Sequence, residues 1–527
     1  MSFVSCSFNG PTPQPGSAYR TMTHRTFRTL ARLAAFAGLC SPLAAQGTVN
    51  LAPRAASGAT EAAASPALAA RIDAILDRPS LRTAEWGIEV RDAGSGRLLY
   101  SRGAARPFIP ASNLKLLVTA TAAHHLDPAY RYRTTVYGTG AVQDGVLEGD
   151  LVLYGRGDPL ISTRFGRAEA GVWEAMADSL RTRGVRRVSG GVVADDSYFE
   201  AEHVRADWDP YDLRWWYAAP VGALGYDDNS VEVRVEPGAV GARPRVTWTP
   251  HSEYVAVENG ATTVRAGRPA TADLERVPGP RAGIRVYGNV PARSGADVEF
   301  FAVPNGAEYA GVTFREALER KGIAVGRREV RVVADSLRSP ARGATVLAEH
   351  WSDPLPQVIA PILLKSQNWI AETLLKTVGR EVRGQGSWEA GIAVEREFLT
   401  RVVGIDSADL TLRDGSGLSD RNRVTPRALV KLLGYVRRTP EMAVVRQSLP
   451  VSGREGSLLT RLTDLPGRVA AKTGYIGGVD SLSGWVTTDD GRTVLFSILA
   501  NRTQQPSGRM KAGIDDMVRA IAATPAP

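Results

Sequence analysis

The chain has 527 residues, 43% of them hydrophobic and 23% charged, which suits two to four globular domains and excludes a largely disordered protein. Its formal charge of +9 includes Arg20, Arg25, Arg28 and Arg32 in an N-terminal stretch without acids, and falls to about +5 without that stretch. The basic residues are scattered and form no stripe interleaved with aromatics, so nucleic acid is not an expected partner, although a mild positive balance favours anionic polymers.

Residues 1–46 read as an export signal: the four arginines, an apolar run from Leu33 to Leu43, then small Ala44 and Ala45 before a cleavage point near Gln46. Asn9 to Tyr19 is polar and rich in Pro and Gly, so Met22 makes a more ordinary start; a plain disordered tail is the alternative. Leu39 stands where a lipoprotein box needs a small residue before Cys40. A periplasmic or otherwise extracytoplasmic location follows, and nothing further on is long and apolar enough to span a bilayer. Both cysteines, Cys6 and Cys40, fall in this stretch, so the cleaved chain would have no disulfide, thiol nucleophile or cysteine metal site. The six histidines show no metal-binding spacing, and neither metal nor cofactor is expected.

Residues 47–65, rich in Ala, Ser, Gly and Pro, read as a linker. A helix is predicted over Pro66–Leu76 and a β-hairpin over Glu85–Val90 and Arg97–Tyr100 around Asp92-Ala93-Gly94-Ser95-Gly96. Asn113–Leu126, apolar on more than one face, predicts a buried helix. From about 130 to 345 short β-like runs alternate with turns, at 133–137, 151–154, 191–194, 231–235, 245–248, 254–257, 283–290 and 329–333, with one helix at Val312–Lys321. This stretch reads as inserted, mostly β accessory structure, possibly two nested domains, between a first part at 66–129 and a second at 346–527. Helices then follow at Leu355–Leu364, Asn368–Val378, Ala390–Val402 and Pro426–Arg437. Strands come at Arg468–Tyr475, Ser481–Thr487 and Thr493–Ala500, and a last amphipathic helix at about Arg509–Ala522.

Three short patterns carry chemistry: Ser112-Asn113-Leu114-Lys115 (S-x-x-K), Ser366-Gln367-Asn368 (S-x-N) and Lys472-Thr473-Gly474 (K-T-G). Ser112 opens a helix, which sets Lys115 one turn on along the same face and aims backbone N–H groups at the serine oxygen. S-x-N sits at a break between helices, and K-T-G on a strand, where Gly474 would let a substrate approach the backbone. The chain has only seven lysines among 64 basic residues, yet two fall in these motifs. Lysine can lose its proton when buried and arginine cannot, so only lysine serves as a general base beside the serine. Taken singly, each motif also has a bland account: Ser112 as a cap and Lys115 as a solvated residue.

The trio resembles the penicillin-recognising serine enzymes. The 254 positions that separate Ser366 from Ser112 are too many for a class A β-lactamase. They resemble the D-alanyl-D-alanine carboxypeptidase/endopeptidase family of low-molecular-mass class C penicillin-binding proteins, which inserts domains between the first two motifs. Pro110-Ala111-Ser112-Asn113, the stretch Asp150 to Pro159, Asp195 to Phe199 and Asp414 to Ser419 support the likeness, which covers the chain from about residue 66 onward. It implies an α+β fold: an antiparallel sheet flanked by helices, the penicillin-binding/β-lactamase-like transpeptidase domain. It implies peptidoglycan D-Ala-D-Ala peptides and β-lactams as ligands. Ser112 would be the nucleophile and Lys115 its base. Ser366 and Lys472 would pass a proton to the leaving D-alanine, and Asn368 would bind the substrate amide. Thr473 would hold the terminal carboxylate, and the backbone N–H groups of Ser112 and Tyr475 would form the oxyanion hole. Asp195 matches a position read as contacting the stem peptide's free amine, with a plain turn residue as the alternative.

Tyr475 departs from the small residue or threonine common after K-T-G, which puts the groove's shape in question. Asp414-Gly415-Ser416-Gly417 mimics a nucleophile loop but reads better as a turn supporting the cleft. Trp208, Trp215, Trp216 and Tyr217 read as core or as a sugar site. A β-lactamase and an idle wall-binding protein are the competing readings.

Overall fold

The computed structural model describes residues 65–164, 171–279 and 282–525; the expected export signal and nearly all of the expected linker lie outside them. Five antiparallel strands from the two ends of the chain make the central sheet: β1 (Glu85–Asp92), β2 (Leu98–Arg102), β3 (Val469–Ile476), β4 (Val479–Thr487) and β5 (Thr493–Asn501), in the order β2-β1-β5-β4-β3. Strands β4 and β5 are buried on both faces, so their sequences run apolar almost without interruption. Alternation then sorts the side chains. Val494, Phe496, Ile498 and Ala500 face Leu68, Ile72, Met510, Ile514 and Met517 of helices Pro66–Leu76 and Ser507–Ala522. Leu495 and Leu499 face the helical layer on the other side, with Leu116, Ile359, Ile370 and Leu429.

That helical layer consists mainly of Lys115–His125, Leu355–Leu364, Asn368–Arg383, Trp388–Glu397 and Pro426–Arg438. Lys115–His125 is the central helix expected from its apolar surround: every residue from Lys115 to Ala123 is buried. It is entered through a 3-10 turn, Ala111–Leu114. Asn368–Arg383 is capped at its start by the Gln367 side chain, which accepts from the Trp369 N–H, and at its end by left-handed Gly384 (φ 74°).

Between the first two motifs lies a second sheet, ordered Arg331–Val333, Val192–Asp195, Leu151–Tyr154, Arg133–Gly138, Thr345–Trp351. The first three strands are parallel and the last two antiparallel. Thr345–Trp351 pairs with Arg133–Gly138, so this sheet runs past residue 345. Two helices, Val172–Thr182 and Gly306–Arg320, pack on it through Trp173, Met176, Phe314 and Leu318. The second begins six residues before the expected Val312, because the Asn305 side chain caps it by accepting from the Glu308 N–H. Smaller sheets built from Ser230–Glu236, Arg245–Thr249 and Asp297–Ala302, and from Val255–Asn259, Asp273–Val277 and Ala282–Tyr287, are nested between these two helices in sequence.

No helix among the described residues is long and apolar enough to cross a membrane. Ile498, fully buried at the centre of the sheet, tests the layer account. Ile498→Ala is expected to destabilise the protein by about 2–5 kcal/mol, read as a lower urea midpoint at unchanged slope.

Candidate active site

The three motifs meet at one place, and each pair of them is joined directly. Lys115 Nζ donates to Asn368 Oδ1 at 2.7 Å, joining the first motif to the second. Lys472 Nζ donates to Ser366 Oγ at 2.9 Å, joining the third to the second. Asn113 Nδ2 donates to the Lys472 carbonyl at 3.2 Å and to Ser481 Oγ at 2.7 Å, fastening the nucleophile turn to β3 and β4. Ser112, Ser366, Thr473 and Tyr475 remain partly exposed, while Lys115 and Lys472 lie fully buried beneath them. Hydroxyls therefore line the accessible surface and amines sit below.

The Lys115 amine has three neighbours: Ser112 Oγ at 2.8 Å, Asn368 Oδ1 at 2.7 Å and the Ser416 carbonyl at 2.8 Å. Asn368 is oriented by its Nδ2, which donates to the Tyr217 carbonyl at 2.8 Å, so its Oδ1 faces the lysine as an acceptor. A neutral amine has two hydrogens and one lone pair. The two pure acceptors take the hydrogens, and Ser112 is the one neighbour with a proton to give. Burial brings Lys115 down to about 7, against the opposing pull of the Glu372 and Asp414 carboxylates. Burial, and then the nearby charge of Lys115, holds Lys472 well below the ordinary lysine range.

The turn that carries Ser112 is strained and wedged. Ala111, just before the serine, has φ 47°, a left-handed value costly for a residue with a Cβ. The loop Asp414–Gly417 packs against it so closely that a Cβ on Gly417 would lie 2.0 Å from the Ala111 carbonyl oxygen. That loop is the supporting turn expected, and it delivers the Ser416 carbonyl to Lys115. It is pinned from below by Glu372, one turn beyond Asn368 and fully buried, which accepts from the N–H groups of Gly415 (2.9 Å) and Ser416 (2.7 Å) and from Trp388 Nε1 (2.7 Å). Asp414 accepts from Trp208 Nε1 at 3.1 Å, which makes Trp208 a core residue bracing the loop.

Strand β3 is an edge of the central sheet. The Ala471 N–H points outward, to the Pro450 carbonyl at 3.0 Å. By the alternation of antiparallel strands, the Thr473 and Tyr475 N–H groups point the same way. Thr473 Oγ1 lies 2.8 Å from Ser457 Oγ, and the Tyr475 ring carries the Lys511 ammonium 5.2 Å from its centre.

Two expectations are corrected. Asp195 is fully buried at the end of its strand, where its carboxylate accepts from the Ser197 N–H at 3.1 Å and from the Ser339 hydroxyl. It is the turn residue of the alternative account, with no carboxylate offered to a substrate. Gly474 is required by packing inside the protein: a Cβ there would sit 2.2 Å from Ser481 Oγ and 3.0 Å from Asn113 Nδ2. The site residues that sequence reading did not single out are Asn113, Glu372, Ser481 and the Ser416 and Tyr217 carbonyls.

An antiparallel sheet between helical layers, with S-x-x-K, S-x-N and K-T-G converging beside it, defines a penicillin-recognising serine protein. The chain belongs to the D-Ala-D-Ala carboxypeptidase 3 (S13) family, whose profile matches residues 68–523. It is 36% identical over 449 residues to the D-alanyl-D-alanine carboxypeptidase of Actinomadura sp. strain R39, covering 83% of this chain and 81% of that one. Its fold matches the crystal structure of penicillin binding protein 4 from Haemophilus influenzae at a TM-score of 0.74 and 21% identity, over 85% of this chain and 98% of that one. The same protein complexed with a β-lactam matches at 0.70 and 20% identity, over the same shares of the two chains.

Because Gly474 is closed in by the turn that carries Ser112, Gly474→Ala should push Asn113 off β3 and slow acylation by penicillin at least tenfold, a barrier higher by about 1.4 kcal/mol. Stopped-flow labelling, with circular dichroism to confirm folding, checks it; an unchanged rate contradicts the packing account.

Proposed function

We propose that the chain is an extracytoplasmic serine D-alanyl-D-alanine carboxypeptidase that also cleaves D-alanyl cross-links of peptidoglycan, through an acyl-enzyme on Ser112. The observation that carries this reading is the buried Lys115 amine, set 2.7 Å from Asn368 Oδ1, 2.8 Å from the Ser416 carbonyl and 2.8 Å from Ser112 Oγ. The carboxypeptidase named from Actinomadura and the β-lactam complex of the Haemophilus protein support it, as does the export signal read in residues 1–46.

Lys115 takes the Ser112 proton as Oγ attacks the carbonyl carbon of the penultimate D-alanine. The tetrahedral oxyanion is held by the backbone N–H groups of Ser112 and Tyr475, the latter on the open edge of β3. As the C–N bond breaks, the leaving nitrogen receives a proton from the Ser366 hydroxyl, which Lys472 holds at 2.9 Å, and the proton that Lys115 took from Ser112 restores Ser366 and leaves Lys115 uncharged. Asn368 has one Nδ2 hydrogen left for the substrate amide, and Thr473 meets the terminal carboxylate. Water then attacks the ester, with Lys115 again as base, and free Ser112 returns. A β-lactam acylates the same oxygen and leaves slowly.

Fluorescent penicillin should label the protein stably, and Ser112→Ala should abolish labelling; rapid turnover of the label would point to a β-lactamase instead. Incubation with monomeric and cross-linked muropeptides should release D-alanine and monomers, read by mass.

The pH dependence follows from the base. Lys115 works only when uncharged, and its uncharged fraction rises with pH through about 7. The acylation rate should therefore fall about tenfold per unit on the acid side and level off above pH 8. A rate independent of pH between 6 and 8 would remove Lys115 from this role.

A further inference from the structure

The second motif does not rest on the catalytic half alone. Three successive residues around it each donate to the inserted region. Gln367 Nε2 donates to Asp228 Oδ2 at 3.0 Å, Asn368 Nδ2 to the Tyr217 carbonyl at 2.8 Å, and Trp369 Nε1 to the Pro220 carbonyl at 2.8 Å.

Asp228 is held in an uncommon backbone. Asp227, Asp228 and Asn229 have φ values of 50°, 43° and 52°, three non-glycine residues in a row in the left-handed region. Each such residue costs on the order of 1–3 kcal/mol and persists only where the surroundings over-determine it. Here they do. Asp227 accepts from the Thr163 N–H at 2.6 Å and the Ser162 hydroxyl at 3.0 Å. Asn229 accepts from the Tyr226 N–H at 3.2 Å and donates to the Pro220 carbonyl at 2.8 Å. Arg164 pairs with the Asp228 carboxylate while lying 4.1 Å from the centre of the Phe300 ring.

On the other side of the bond, Ser366 is also left-handed, at φ 59°. Gln367 is doubly used: its Oε1 caps the Asn368–Arg383 helix by accepting from the Trp369 N–H at 3.0 Å, and its Nε2 reaches Asp228. The side chain that caps the helix directly after Ser366 is therefore gripped by a carboxylate from the inserted region.

We propose that Asp228 is a positioning residue for acyl transfer: by holding Gln367 it fixes the left-handed turn that sets Ser366 Oγ against Lys472 Nζ. This rests on the reading of Ser112 as the nucleophile. Through this one hydrogen bond the insertion takes part in catalysis without touching substrate. Misplacing a catalytic group by about 1 Å costs on the order of 100-fold, so a loosened Ser366 shows in the rate of chemistry and not in initial binding.

The test is the acylation of the full chain by a fluorescent penicillin, resolved into an initial binding constant and a maximum rate, well below the melting temperature of every variant. Asp228→Ala and Gln367→Ala should each lower the maximum rate about 10- to 100-fold and leave binding within about threefold. Asp228→Asn, whose Oδ1 still accepts from Gln367, should stay within about threefold of wild type. The double variant Asp228→Ala/Gln367→Ala should be no slower than the slower single one. A wild-type rate in Asp228→Ala, or losses that multiply in the double variant, overturns the proposal. An Asp228→Asn loss equal to that of alanine assigns the effect to the Arg164 pair and overturns it equally. Gln367→Ala probes the same bond from the catalytic side should Asp228→Ala not fold. Failure of the wild-type protein to label would instead overturn the assignment of Ser112.

Discussion

Everything at this site depends on keeping an amine dry beneath a serine. An ammonium group taken from water into a protein interior costs several kcal/mol, and the cheapest escape is to release the proton. The fold makes that escape useful by surrounding Lys115 with two acceptors and one alcohol. The three motif contacts, Lys115 to Asn368, Lys472 to Ser366 and Asn113 to the Lys472 carbonyl, close on one another. Loosening one of them admits water or moves a partner of the next. Partly satisfied buried networks of this kind are worse than apolar packing, which explains why so much of the nearby sequence serves only to hold them shut.

Carboxyl groups sit behind the lysine in a graded arrangement. Glu372 and Asp414 are fully buried and well supplied with N–H donors. Burial, and next the neighbouring Asp414, raises Glu372 to about 7. Glu395 is buried with no hydrogen bond to either oxygen among the described residues, and burial together with Glu372 and Asp414 holds it far above the ordinary carboxylic range. Glu372 and Asp414 pull Lys115 back toward its charged form, and burial outweighs them.

Much of this was legible in the sequence. The central strands and the buried helix after Ser112 followed from apolar runs and alternation, and the three motifs that meet at the site were made conspicuous by the rarity of lysine. The residues that tie the motifs together were not legible. Asn113 meets Lys472 across 359 positions and Gln367 meets Asp228 across 139, and contacts so remote leave no periodic trace. Asp195 misled because an acidic residue in a familiar stretch looks the same whether it faces a substrate or closes a turn; only its burial decides. The helix Val172–Thr182 carries its apolar stripe, Val172, Trp173, Met176, Ala177 and Leu180, but lies among short runs that read as strands.

The pairing of β1 with β5 joins Glu85 to Asn501 and continues along the full length of both strands. A growing chain thus displays its serine long before the sheet that shelters it can exist, since the strands Val469–Ile476, Val479–Thr487 and Thr493–Asn501 follow Ser112 only after the whole inserted region. Closing so large a loop is slow but adds little entropy beyond a shorter one. By this wiring the groove cannot assemble until the two halves of the sheet, one from each side of the insertion, have come together.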